Sequence, residues 1–242
     1  MVCPEYFQGR VSIEKYENQE KPCCIIWSSC KSIRCSPASA TNTTSDFDIY
    51  FFMKPNRIIL IRHGFSQGNA DKHLHETIPD YALNLTDEGI EQARRAGQEI
   101  KKMIGLGTLQ GYLSPYYRTR QTFQYIQESV KENIVKTFED PRLREQDWGH
   151  LRLSDLNDEI IQERDGFSTF YYRIPDGESG ADVYDRVSIF LETLHRDFQK
   201  PDFPDNVLIV THGMTLRLFL MRWFHWSVKN LKQSGIRSTA KL

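Results

Sequence analysis

Two apolar runs far apart in the chain end in the same dipeptide. "IILIRHG" (residues 58–64) and "VLIVTHG" (207–213) are short, β-branched and close on a histidine and a glycine. A strand with no polar alternation is one whose two faces are both covered, as in a parallel sheet between layers of helices. Ligands of such sheets bind outside the carboxyl ends of the strands. The pattern therefore predicts His63 and His212 at one mouth, each followed by a glycine that lets the backbone turn tightly.

Between the two runs the chain alternates strand and helix. "LTDEGIEQARRAGQEIKKMI" opens on a threonine N-cap and repeats apolar residues at Ile90, Ala93, Ala96, Gly97 and Ile100, which is helical spacing. "LQGYLSP" reads as a strand and "YYRTRQTFQYIQESV" as the helix after it, while "IVKTFEDPRLREQDWG" reads as a strand running into a loop. "SGADVYDRVSIFLETLHRDF" predicts a long amphipathic helix with Val183, Val187, Phe190, Leu191 and Leu194 on one side, and "MTLRLFLMRWFHW" predicts another after the second His-Gly strand. The expected fold is α/β, a three-layer α/β/α sandwich with a mainly parallel sheet.

The ordered pattern is expected over residues 53–228. Residues 1–52 show no sustained period and end in the small, polar run "SPASATNTTSD", so a disordered or atypical N-terminal extension is expected there. Residues 229–242, basic, polar and without a strand pattern, are expected to form an atypical tail. All five cysteines precede residue 36, at irregular intervals unlike the paired spacings of zinc sites, and are expected to be unpaired thiols. A net charge of −1 gives no reason to expect a nucleic-acid partner. No apolar run approaches the roughly 20 residues needed to span a bilayer. With no secretory pattern at the N-terminus, a cytoplasmic or nuclear address is expected.

The site chemistry follows from residue types. "YLSPYYRTRQT" delivers Arg118 and Arg120 at a third strand end, so histidines and arginines converge. Arginine forks match phosphate oxygens bidentately, which suits Arg62 and Arg118 to a phosphoryl group. A neutral imidazole among them is a competent nucleophile toward phosphorus. No Walker loop, kinase signature or carboxylate-rich Mg²⁺ motif is present, so the positive side chains would neutralise the phosphate without a metal or other cofactor. A single histidine after a strand is most often a hydrogen-bonded structural group. The ordered set gives it another meaning.

That set, "RHGFSQGN", "LTDEGIEQARRAG", "SPYYRTRQT", "LREQDWG", "PDGES" and "VTHG", resembles the histidine phosphatase superfamily, the phosphoglycerate-mutase-like proteins, over about residues 56–228. "LREQDWG" and "YYRIPDGESGADVYDR" look more like its broad phosphatase branch. The tyrosine-glycine-leucine-rich insert and asparagine-lysine pair of the glycolytic mutases have no counterpart here. The resemblance implies a phosphoglycerate-mutase-like fold and a phosphatase acting on small phosphomonoesters. His63 would be the nucleophile, Arg62, Arg118 and His212 would bind the phosphoryl oxygens, with His212 protonated or donating, and Asn69 would add a hydrogen bond. Glu145 would be the general acid and then the base; its alternative is a loop carboxylate paired with Arg142 or Arg144. Ser66 and Gln67, in the same turn as Asn69, and Glu178 and Ser179, before a helix, are further substrate-binding candidates, the last two with helix capping as the alternative. A mutase-type phosphotransferase and a truncated, inactive binding isoform are the competing readings, the second because the family continues into a further strand where this chain has its polar tail.

Overall fold

In the computed structural model, residues 24–28, 55–149 and 158–229 are described. In chain order they form β1 (Cys24–Ser28), β2 (Arg57–Arg62), α1 (Gln67–Ala70), α2 (Asp87–Ile104), β3 (Leu109–Leu113), α3 (Tyr117–Val130) and β4 (Ile134–Glu139). α4 (Asp158–Phe167), α5 (Gly180–Asp197), β5 (Asn206–Thr211) and α6 (Gly213–Trp223) follow. The strands make one sheet in the order β1-β2-β5-β3-β4. β2, β5, β3 and β4 are parallel to one another, and β1 runs antiparallel to β2.

Both faces of the central strands are covered, which is why β2 and β5 carry no polar alternation. On one face Ile58, Leu60, Val207 and Ile209 pack against Val183, Val187, Phe190 and Leu194 of α5 and Leu216 and Phe219 of α6. On the other, Ile59, Ile61, Leu208 and Val210 meet Ala96 and Ile100 of α2 and Phe123 and Ile126 of α3. This is the three-layer α/β/α sandwich that the alternation predicts. Full removal of a Val, Leu, Ile or Phe side chain from water is worth about 1.5–3 kcal/mol, so the two clusters hold the sheet between its helix layers. α2 begins where its threonine signals it: the Thr86 hydroxyl accepts from the Gly89 N–H.

Two elements escape the sequence pattern. α4 lies in a stretch to which the sequence pattern assigns no element. β1 lies inside the N-terminal segment and pairs with β2 from Cys24 opposite Ile61 to Ser28 opposite Arg57, so β2 is hydrogen-bonded on both sides. The rest of residues 1–52 and residues 230–242 fall outside the described residues, as do the expectations placed on them. Among the described residues no helix is long and apolar enough to cross a membrane.

Candidate active site

β2 and β5 are adjacent and in register, with Arg62 opposite Thr211. The next residue of each strand is therefore a histidine, and the His63 N–H closes the ladder onto the Thr211 carbonyl at 2.9 Å. The two imidazoles are buried with centroids 5.2 Å apart. His63 Nδ1 lies 2.8 Å from the Gly64 carbonyl oxygen. A carbonyl can only accept, so Nδ1 carries the proton and Nε2 the lone pair.

The turn after His63 is held from three sides. The Gly64 N–H donates to the Thr122 hydroxyl and the Phe65 N–H to Gln92 Oε1. A Cβ at Gly64 would stand 2.4 Å from the Gly89 carbonyl oxygen, so a side chain there would collide with the backbone at the start of α2. Ser66 is buried, and its N–H donates to Asn69 Oδ1. The Gln67 side chain turns the other way, accepting from the Asn84 N–H.

Arg118 enters from the first turn of α3, almost fully buried. Its guanidinium donates to the Asp80 carbonyl at 2.5 Å and to Asp80 Oδ2 at 2.9 Å. Burial first, then the Arg118 and Arg62 guanidiniums, hold the His63 imidazole well below the usual histidine range. Burial, Arg118, His63 and Arg62 do the same to His212. Of the two states the sequence left open for His212, these surroundings favour the neutral donor over the protonated ring. Its Nε2 lies 2.8 Å from Ser114 Oγ, and its Nδ1 is buried with no hydrogen-bond partner among the described residues.

Glu145 comes from the loop after β4. Its carboxylate accepts from the N–H groups of Met214 (3.2 Å) and Thr215 (3.4 Å) at the start of α6. A Cβ at Gly213 would stand 3.6 Å from Arg62 Nε and 3.7 Å from Glu145 Oε2, so both flank the same glycine. Arg142 pairs with Asp140 and Arg144 with Glu178. The Glu145 carboxylate is thus held by a helix N-terminus and not by either neighbouring arginine.

His63, His212, Arg62, Arg118 and Glu145 are brought together, with Ser66 and Asn69 in the adjoining turn. Glu178 and Ser179 are placed elsewhere in the network. The Glu178 carboxylate is taken up by Arg144, Arg186 and the Asp147 N–H. The Ser179 hydroxyl caps α5, accepting from the Asp182 N–H. One residue the sequence reading missed is Arg186. It is 8% exposed and donates to the carbonyls of Arg142, Arg144 and Glu145 as well as to Glu178. Its only signal was an arginine in the apolar half of an amphipathic helix.

A family model described as the histidine phosphatase superfamily, branch 1, matches residues 58–242. The chain belongs to that superfamily. Phosphoglycerate mutase-like protein AT74 of Arabidopsis thaliana is 41% identical over 191 residues, covering 74% of this chain and 60% of that protein. The chain therefore spans less than two thirds of that relative. Broad-range acid phosphatase DET1 of Saccharomyces cerevisiae is 26% identical, covering 74% of this chain and 81% of its own length. Among solved structures, a phosphoglycerate mutase from Bacillus anthracis str. Sterne superimposes with a TM-score of 0.56 at 19% identity, covering 68% of this chain and 78% of that one. The superfamily relatives thus include a phosphatase and a mutase-like protein, and the fold is the phosphoglycerate-mutase-like one.

Proposed function

We propose that the protein is a metal-independent phosphatase that hydrolyses small phosphomonoesters through a phosphohistidine on His63. The observation that carries this is the hydrogen bond of His63: its Nδ1–H is committed to the Gly64 carbonyl, which leaves the lone pair on Nε2, while burial and the Arg118 and Arg62 guanidiniums keep the imidazole neutral. Arg62 and Arg118 neutralise the phosphoryl oxygens, Arg118 exchanging Asp80 for phosphate. The Ser114 hydroxyl donates to His212 Nε2, which leaves Nδ1–H to bond a phosphoryl oxygen. Asn69, whose Oδ1 is taken by the Ser66 N–H, offers its NH₂ from the turn.

In the first step His63 Nε2 forms a bond to phosphorus as the ester P–O bond breaks, and Glu145 gives its proton to the departing oxygen. In the second, the Glu145 carboxylate takes a proton from water, the water oxygen bonds to phosphorus and the N–P bond breaks. Inorganic phosphate leaves and His63 returns to its starting state. A mutase-type enzyme would instead return the phosphoryl group to its substrate.

The test is hydrolysis of p-nitrophenyl phosphate in EDTA by the wild type and by His63→Ala. EDTA-resistant turnover that the variant loses supports the reading. Equal activity in both proteins refutes it. Phosphate release without a bisphosphorylated primer separates phosphatase from mutase.

A further inference from the structure

Between β3 and α3 the chain runs Ser114-Pro115-Tyr116, and Tyr116 has no part in the chemistry above. Its ring stands edge to face against the His212 imidazole, with centroids 5.0 Å apart and planes at 69°. The Arg118 guanidinium lies over the same ring, its carbon 5.0 Å from the centroid. One half-buried side chain therefore touches two of the groups gathered at the site. His212 in turn stands edge to face against His63. Contacts run unbroken from Arg118 through Tyr116 and His212 to His63.

The turn that carries the ring is itself held. The Thr119 hydroxyl lies 2.9 Å from the Ser114 carbonyl oxygen and 2.6 Å from that of Tyr116. The Tyr116 N–H donates to the Ser114 hydroxyl, the one that meets His212 Nε2. Asp80 takes the Nη1 and Nη2 edges of Arg118, while Tyr116 takes its face. A partly desolvated guanidinium is attracted by the negative face of an aromatic ring, and two rings in contact favour the edge-to-face arrangement. Burial first, then Asp80, push the Tyr116 phenol up to about 12, so the ring meets the cation as a neutral phenol. An aliphatic side chain would fill the space with neither attraction. When a phosphate takes Arg118 from Asp80, the ring still bears on the guanidinium. Without the ring the anion would have to order a rotamer-rich side chain by itself.

We propose that Tyr116 is a positioning residue, its ring holding Arg118 and His212 in place for a tetrahedral oxyanion, with the ring and not the hydroxyl as the acting part. This rests on the phosphate-binding reading of the His63 pocket, and the test keeps the two apart.

Binding of inorganic phosphate to the full chain is measured by titration calorimetry at low salt. Tyr116→Leu should weaken it about three- to tenfold, the cost of ordering one long side chain. Tyr116→Phe should regain most of that loss. At position 116, 4-fluoro-, 3,5-difluoro- and 3,4,5-trifluorophenylalanine keep the shape of the ring while draining charge from its face, and affinity should fall stepwise along the series. Wild-type affinity in Tyr116→Leu overturns the proposal, as does a flat fluorinated series or a wild type that binds no phosphate. A Tyr116→Phe variant as weak as Tyr116→Leu also overturns it, and assigns the role to the hydroxyl. Where a thermal melt shows Tyr116→Leu unfolded, the fluorinated series decides, because a ring that only fills space would give no trend. Hydrolysis of p-nitrophenyl phosphate is followed alongside. Ring-dependent phosphate binding without turnover leaves the role of Tyr116 standing and removes the phosphatase reading, and turnover with ring-independent phosphate binding does the reverse.

Discussion

Replacing Arg186 by Met removes the clamp that fixes the acid loop while keeping most of the side-chain volume. The carbonyls of Arg142, Arg144 and Glu145 lose their guanidinium donors. Glu178 keeps Arg144 and the Asp147 N–H, so its carboxylate is not left wholly uncompensated. Three acceptors at about 1 kcal/mol each, with part of a buried ion pair, give an expected loss of about 3–5 kcal/mol. A domain in the middle of the ordinary range, about 10 kcal/mol, remains folded after that loss. The assay is urea unfolding, in which the midpoint should fall with the slope unchanged. Thr215 Oγ1 still donates to the Arg144 carbonyl and α6 still holds the Glu145 carboxylate, so the site loosens without dissolving. Turnover of alkyl phosphates, whose leaving oxygen needs a proton, should therefore fall more than turnover of p-nitrophenyl phosphate. A stability change below about 1 kcal/mol, when breaking a buried pair is expected to cost several, would refute the clamp.

Glu145→Gln should slow poor leaving groups much more than good ones, and an equal loss on both would remove its role as the acid. His63 and His212 titrate near 6.5 in the unfolded chain and well below that when folded. As pH falls through 6.5 the unfolded chain binds protons that the folded protein does not, so stability drops with falling pH, by up to about 1.4 kcal/mol per pH unit for each histidine. Thermal melts from pH 7.5 to 5.5 should show a smaller drop for His63→Gln than for the wild type; parallel curves would count against a neutral His63. Asp80→Asn should strengthen inhibition by inorganic phosphate by up to about fivefold, because a half-exposed carboxylate no longer competes for Arg118. Weaker inhibition would show that Asp80 orients the arginine instead.

β2 and β5 were legible because both their faces are covered: Ile58 to Ile61 and Val207 to Val210 read as sandwiched strands. The pairing of His63 with His212 followed from two identical strand ends. What the sequence could not carry is contact made across the fold. Nothing local distinguishes Arg186 from the arginines of a solvated helix face, because the carbonyls it holds lie on another element. For Glu178 and Ser179 the sequence offered substrate contact or helix capping, and only the packing of α5 against the acid loop shows Ser179 as the cap and Glu178 paired with Arg186. β1 has no periodic signature of its own in five residues, and its place is set by the edge of β2.

The central claim is covalent. Wild-type protein mixed with p-nitrophenyl phosphate and quenched in alkali within the first turnovers should carry a phosphoryl group that is stable to base, labile to acid and located on His63 by peptide mass spectrometry. A steady state that turns over with no phosphoryl group on His63, or with one on another residue, would contradict it.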